Sequence, residues 1–128
     1  MRSIYCRAAH AAGARLVDYT YQISANTPDD CVDIAITHCG VCHSDVHQID
    51  DAWQSATFPL VPGHEIVGTV TSAGSAASFR VGQRVAVGVQ RGSCSKCACC
   101  LAHLENVCPQ IKKTYAGPDG DRGGFATS

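Results

Sequence analysis

Apolar and polar positions alternate in short runs, and glycine- and proline-rich turns separate them. Cys31 to Thr37 (CVDIAIT) reads as a half-buried strand. Glu65 to Ser72 (EIVGTVTS) is β-branched and interrupted by Gly68, as at a bulge or a tight barrel bend. Arg84 to Val89 (RVAVGV) repeats that style. The punctuating turns are Thr27-Pro28-Asp29-Asp30, Val61-Pro62-Gly63, Ala73-Gly74-Ser75 and Gly117-Pro118-Asp119-Gly120. The pattern predicts one short helix after Cys42, through His47, and a further helical turn over Leu101 to Glu105. Gly123 to Thr127 reads as the opening of another strand, and the chain is expected to be an unfinished piece whose last strand leaves an edge uncovered. Many short strands with frequent glycine turns predict a mainly β, barrel-like domain.

Composition narrows the class. The 128 residues are 45% hydrophobic and 16% charged, which suits one globular domain with a core. The formal charge is −1 with no basic block, so nucleic acid is not an expected partner. No apolar run approaches the ~20 residues of a membrane-spanning helix. The opening Met1 to Arg15 carries Arg2, Arg7 and Arg15 and does not read as a secretory signal. Nine cysteines are many, but the number is odd and several stand at metal-ligand spacing. Thiolates on metal in a reducing cytoplasm are expected, rather than disulfides. Cys6 and Cys31 have no partner at such a spacing and are expected to be ordinary core or surface residues.

Cys94, Cys97, Cys100 and Cys108 form C-x2-C-x2-C-x7-C. Four thiolates can close a tetrahedron around one ion and leave no position open, which is a structural site and not a reactive one. An iron–sulfur centre, and with it electron transfer, is the rival, because Cys108-Pro109 follows the run as in ferredoxins. There, however, three residues and not seven precede the last cysteine. Ser95, Lys96 and Ala98 mark the loop as exposed, where four bare thiols would oxidise. Cys99 is off-register and could compete for the ion.

A sparser set lies upstream: Cys39-Gly40-Val41-Cys42-His43-Ser44-Asp45, then Gly63-His64-Glu65. A reactive zinc needs three protein ligands and one open position. Cys42 and His64 can supply two, with Asp45 as a carboxylate to hold the other imidazole nitrogen. Ser44 and His47 offer a hydroxyl and an imidazole that could carry a proton to solvent. On residues alone, each histidine could equally be an ordinary partly buried one. Cys39 and Cys42 could be a redox pair or half of another zinc site. Glu65 could be a ligand, a base or a surface charge.

Cys39-Gly-Val-Cys-His-Ser-Asp-Val-His47, Phe58-Pro-Leu-Val-Pro-Gly-His-Glu-Ile-Val-Gly68, the four-cysteine lobe and Leu104-Glu-Asn-Val-Cys-Pro109 together resemble the zinc-dependent alcohol dehydrogenases of the medium-chain dehydrogenase/reductase superfamily. They are most similar to its cinnamyl-alcohol-dehydrogenase-like branch. The resemblance runs from about Cys31 to the end. It implies a GroES-like, partly open β-barrel over residues 1–128, the N-terminal and incomplete part of a catalytic domain, with a zinc lobe at about 91–112. It implies Cys42 and His64 as catalytic zinc ligands, with Glu65 beside the metal and Asp45 orienting His64. Ser44 and His47 match the proton relay, His43 a contact to cofactor pyrophosphate, and Trp53 the substrate pocket. Cys94, Cys97, Cys100 and Cys108 match the structural zinc ligands, with Cys99 left out. It further implies NADP(H), a small-molecule aldehyde or primary alcohol, and a homodimer for the full-length enzyme.

The departures carry weight. No residue matches the family's third catalytic ligand, a downstream cysteine, and no G-x-G-x-x-G stands anywhere in the chain. The isolated chain is therefore expected to lack turnover and a Rossmann domain. A free-standing zinc-binding GroES-like module without catalysis is the alternative.

Overall fold

A computed structural model describes residues 1–115 and 122–128. The expected turn at Gly117 to Gly120 lies outside the described residues. Two strands that the apolar pattern did not suggest open the fold. In β1 (Arg2–Ala8), Ile4, Cys6 and Ala8 are buried while Ser3, Tyr5 and Arg7 face out. In β2 (Val17–Ile23), Tyr19, Tyr21 and Ile23 are half-buried between exposed polar residues. The two pair antiparallel from Arg2 opposite Ile23 to Ala8 opposite Val17. Cys6 and Ala8 join Val61 in a core cluster, flanked by Tyr19, Tyr21, Phe125 and Ala126. Cys31 is exposed, so both cysteines without ligand spacing take the ordinary places expected of them.

The second sheet carries the upstream motif. It is β3 (Val32–Gly40), β4 (Glu65–Ala73) and β5 (Arg84–Val87), antiparallel, with β4 in the middle. The β3–β4 register skips Thr37, because Ile36 faces Gly68 and His38 faces Val67. The bulge expected at Gly68 is thus built from an extra residue on the facing strand. Gly68 itself lies so close to the Ala35 carbonyl and the Ile34 side chain that a Cβ would collide with both. The β3–β4 ladder ends with Gly40 opposite Glu65. That pairing places the residues just after β3 and just before β4 at one end of the sheet. Cys42 and His64, far apart in sequence, meet there.

The helix α1 (His43–Ile49) starts at Cys42. Asp45 caps it by accepting the Cys42 backbone N–H at 2.9 Å. The segment from Gly123 to Thr127 bonds to both sides of the fold. Phe125 and Thr127 exchange backbone bonds with β1, and Gly123, Gly124 and Phe125 donate to Val61, Gly63 and Pro62. The expected last strand is therefore a clamp that holds the loop in front of His64, and β1 receives part of its edge.

The strand expected over Arg84 to Val89 is divided. After β5 the strand breaks at Gly88, whose carbonyl accepts the Thr114 hydroxyl, bends at Val89 and resumes as β6 (Gln90–Gly92). β6 pairs with β7 (Lys112–Lys113) and closes the base of the cysteine lobe. Inside the lobe, α2 covers Ala98–Leu101 and a 3-10 turn covers Glu105–Val107. The helical turn expected over Leu101 to Glu105 is broken in its middle, because His103 sits in the left-handed region at φ 59°. The three sheets stay separate and all their strand pairings among the described residues are antiparallel, which gives an unclosed, mainly β architecture. Among the described residues, no helix is long and apolar enough to cross a membrane.

Candidate metal centres

The four lobe sulfurs have already converged. Sγ–Sγ distances are 3.5 Å for Cys97–Cys100, 3.6 Å for Cys108–Cys94, and 3.9 Å for Cys94–Cys100 and Cys97–Cys108. A tetrahedron with metal–sulfur bonds of ~2.3 Å has edges of about 3.8 Å. The donor set therefore fits a single thiophilic ion. A multi-iron cluster spreads its thiolates over different irons and does not fit an edge this short. Backbone N–H groups of Cys97 and Gln110 point at the sulfurs of Cys94 and Cys108, each at 3.3 Å, which favours thiolate over thiol. The Cys94 thiol is held down to about 6, first by the Lys96 backbone N–H and then by that of Cys97. Cys99 stands outside the converging set. Its neighbour Cys100 is buried among the other three, so the helical turn of α2 turns one sulfur in and the next away.

At the end of the β3–β4 sheet, Cys42, His64 and Glu65 each place a ligand atom within 4.8 Å of the others. Asp45 organises this group. It is 1% exposed. Its Oδ2 accepts the Cys42 N–H, and its Oδ1 accepts the Gly63 N–H at 2.9 Å and the His64 Nδ1–H at 3.2 Å. One carboxylate thus ties together the loop carrying Cys42 and the loop carrying His64. Because Nδ1 donates to Asp45, Nε2 is the ring nitrogen left with a free lone pair. Glu65 is exposed, and its side chain lies over Gly40, where a Cβ would displace the carboxylate.

The remaining upstream residues differ in how near they stand. The Ser44 hydroxyl lies 3.5 Å from the Cys42 sulfur. His47 is one helical turn further along α1, and among the described residues no hydrogen bond joins it to Ser44. His47 instead packs between His43 and Trp53, with ring centroids 4.7 Å and 5.1 Å away. Trp53 is 53% exposed. Cys39 does not join the group. Its sulfur packs against Gly63 and Gly124, and burial pushes its thiol up from the usual value.

One residue escaped the sequence reading. Tyr115, beyond the cysteine lobe, is buried and stacks on the His64 ring at 5.2 Å and 18°. Burial, and then the negative charge of Asp45, hold its phenol well above the usual range. A single tyrosine after Lys112-Lys113-Thr114 carries no pattern that could have pointed to His64.

The alcohol dehydrogenase GroES-like domain family matches residues 28–128. The chain belongs to this family. It is 50% identical over 97 residues to a rice (Oryza sativa subsp. japonica) protein named probable cinnamyl alcohol dehydrogenase 5, covering 75% of the chain and 27% of that protein. It is 45% identical over 112 residues to probable mannitol dehydrogenase 1 of Stylosanthes humilis, covering 87% of the chain and 31% of the relative. Among solved structures, CAD from Helicobacter pylori complexed with NADP(H) superposes with a TM-score of 0.89 at 30% identity, covering 98% of the chain and 38% of that one. The chain thus spans roughly a third or less of the curated relatives it matches. The GroES-like family and the mainly β fold expected from the motifs are those found.

Proposed function

We propose that this chain is the catalytic-domain part of a zinc-dependent alcohol dehydrogenase or aldehyde reductase. The parent protein interconverts an aldehyde and a primary alcohol with NADP(H). The observation that carries this reading is the pairing of two unlike donor sets in one small fold. One is an all-sulfur, closed set suited to shape, and the other is a sulfur–imidazole–carboxylate set suited to reactivity.

Cys94, Cys97, Cys100 and Cys108 hold the structural ion, and Cys42 and His64, with Glu65 in reach, hold the reactive one. When bound, zinc supplies Lewis-acid polarisation of the substrate oxygen, and NADP(H) supplies the hydride. The protein's own residues do the rest. Asp45 fixes the His64 tautomer and keeps Nε2 turned to the ligand position. Ser44, beside the Cys42 sulfur, receives or gives the proton of the substrate hydroxyl, and His47 passes it toward solvent. His43 contacts the cofactor pyrophosphate. Trp53 offers an apolar wall to the substrate, and its open indole face supports that role. Because the 128 residues contain no G-x-G-x-x-G, the isolated chain does not turn over.

The test joins this chain to the cofactor-binding part of a relative and assays NADPH oxidation with an aromatic aldehyde. Turnover that is lost in Cys42→Ser and kept in Cys99→Ser supports the reading. Zinc-dependent turnover by the isolated 128 residues overturns the claim that they are only part of an active unit.

A further inference from the structure

Helix α1 presents two imidazoles on one face. His43 and His47 are four residues apart, the spacing at which helical side chains lie one above the other. Their ring centroids are 4.7 Å apart and the rings are set at 74°. Two imidazoles that share an ion at ~2.0–2.1 Å have centroids about 4.5 to 5.2 Å apart for bond angles between a right angle and a tetrahedral one. The observed separation falls inside that interval, so the ring spacing is the one a shared ion requires, and the soft terminal torsion of each histidine is what must turn to aim a nitrogen at a common point. His43 is exposed and His47 half-buried, so solvent reaches that point and can fill the remaining coordination positions. Trp53 packs on His47 and limits how far its ring swings away.

We propose that His43 and His47 form a two-imidazole site for a divalent cation of the zinc, nickel and copper group, separate from the two sulfur-bearing centres. Imidazole pairs suit these ions, and the all-oxygen preference of magnesium and calcium excludes those two. Neither sulfur nor carboxylate takes part, so the site holds its ion more weakly than the cysteine lobe and fills only when metal is in excess. A cation there occupies both rings. If His43 meets the cofactor and His47 carries the proton, as in the function proposed above, excess metal acts as an inhibitor. That consequence rests on the proposed function, whereas the site itself rests on the helix geometry.

The experiment uses the 128-residue chain loaded with zinc and titrated with nickel chloride, without cofactor or substrate, so its outcome does not depend on the dehydrogenase reading. Paramagnetic broadening is followed on the histidine ring protons, and affinity is measured by calorimetry. The ring signals of His43 and His47 broaden before those of the exposed His10, His38 and His103. Removing either arm of the chelate, in His43→Gln or His47→Gln, weakens nickel binding by about tenfold or more, because the second contact is then no longer intramolecular. Cys42→Ser leaves this nickel affinity unchanged and separates the helix site from the sulfur–imidazole centre. His43 is exposed and His47 half-buried, so unchanged zinc content and circular dichroism are required to show that both glutamine variants fold. The proposal is overturned if nickel binds both glutamine variants as it binds the parent chain, or if another histidine broadens first.

Discussion

The Asp45 Oδ1 and the His64 Nδ1 meet at 3.2 Å inside the fold, and the same carboxylate also holds the backbone N–H of Cys42 and of Gly63. Three donors from two loops converge on one buried anion. Asp45→Asn keeps the shape but turns an amide N–H toward at least one of those donors. An unsatisfied buried donor costs about 1–3 kcal/mol, so urea denaturation should register a loss of that size. Losing such an outer partner weakens metal binding by roughly 10–100-fold. Metal analysis after gel filtration should therefore find the zinc of the lobe retained and that of Cys42 and His64 lost. An Asp45→Asn protein with undiminished stability and metal content would remove Asp45 from this role.

The lobe makes a sharper claim about two adjacent residues. Cys100 lies with Cys94, Cys97 and Cys108, and Cys99 does not. Cys99→Ser should keep zinc and stability, whereas Cys100→Ser should leave a three-sulfur set that releases its ion to a mild chelator. A colourless protein that yields zinc and no iron on elemental analysis distinguishes this centre from an iron site. Equal zinc loss in the two variants would contradict the assignment.

The site was legible where chemistry repeats in sequence and illegible where only packing supplies it. The cysteine spacing and the Cys42-to-Asp45 and Gly63-to-Glu65 motifs stand out because each ligand type is uncommon and closely spaced. Gly68 signalled a bulge, yet the extra residue is Thr37 on the facing strand, and only the register reveals that. β1 was hidden because Tyr5 occupies an outward position and blurs the alternation of Ile4, Cys6 and Ala8. Arg84 to Val89 looked like one strand because the break at Gly88 and Val89 goes with bonds to Thr114, a residue far along the chain that no local pattern links to them. Tyr115 reaches His64 only through the fold of the whole lobe.

Tyr115 gives a pH signature. Burial and the Asp45 carboxylate raise its phenol above the usual value of about 10, so the folded chain prefers the neutral form. The sign follows from linkage. Below pH ~10 the phenol is protonated in both states and its contribution is complete. As pH rises past that value, the unfolded chain ionises first and stability falls. Tyr21, half-buried in β2, shifts in the same direction. Ultraviolet titration should show tyrosinate from Tyr115 appearing late, together with loss of structure. Tyr115→Phe should remove that late step without lowering stability near neutrality by more than about 1 kcal/mol, since the ring contact with His64 survives. A Tyr115→Phe chain with the same late step would show that the phenol lies elsewhere.

Two glycines separate backbone strain from collision. Both Gly63 and Gly82 have positive φ, at 102° and 85°. A Cβ at Gly82 meets nothing within 4 Å, whereas one at Gly63 would stand 2.6 Å from a ring carbon of Phe125 and 2.8 Å from the Cys39 sulfur. Gly82→Ala should therefore cost only the left-handed penalty of roughly 1–2 kcal/mol. Gly63→Ala carries that penalty plus the collision, so its midpoint in urea should fall further. Moving Gly63 also draws its N–H from Asp45 and shifts His64, the next residue. The Gly63 variant should thus lose zinc at Cys42 and His64 while the lobe stays loaded, and the Gly82 variant should keep both. Equal stability losses would mean that Phe125 and Cys39 yield freely, and that the clamp from Gly123 to Thr127 does not fix the position of His64.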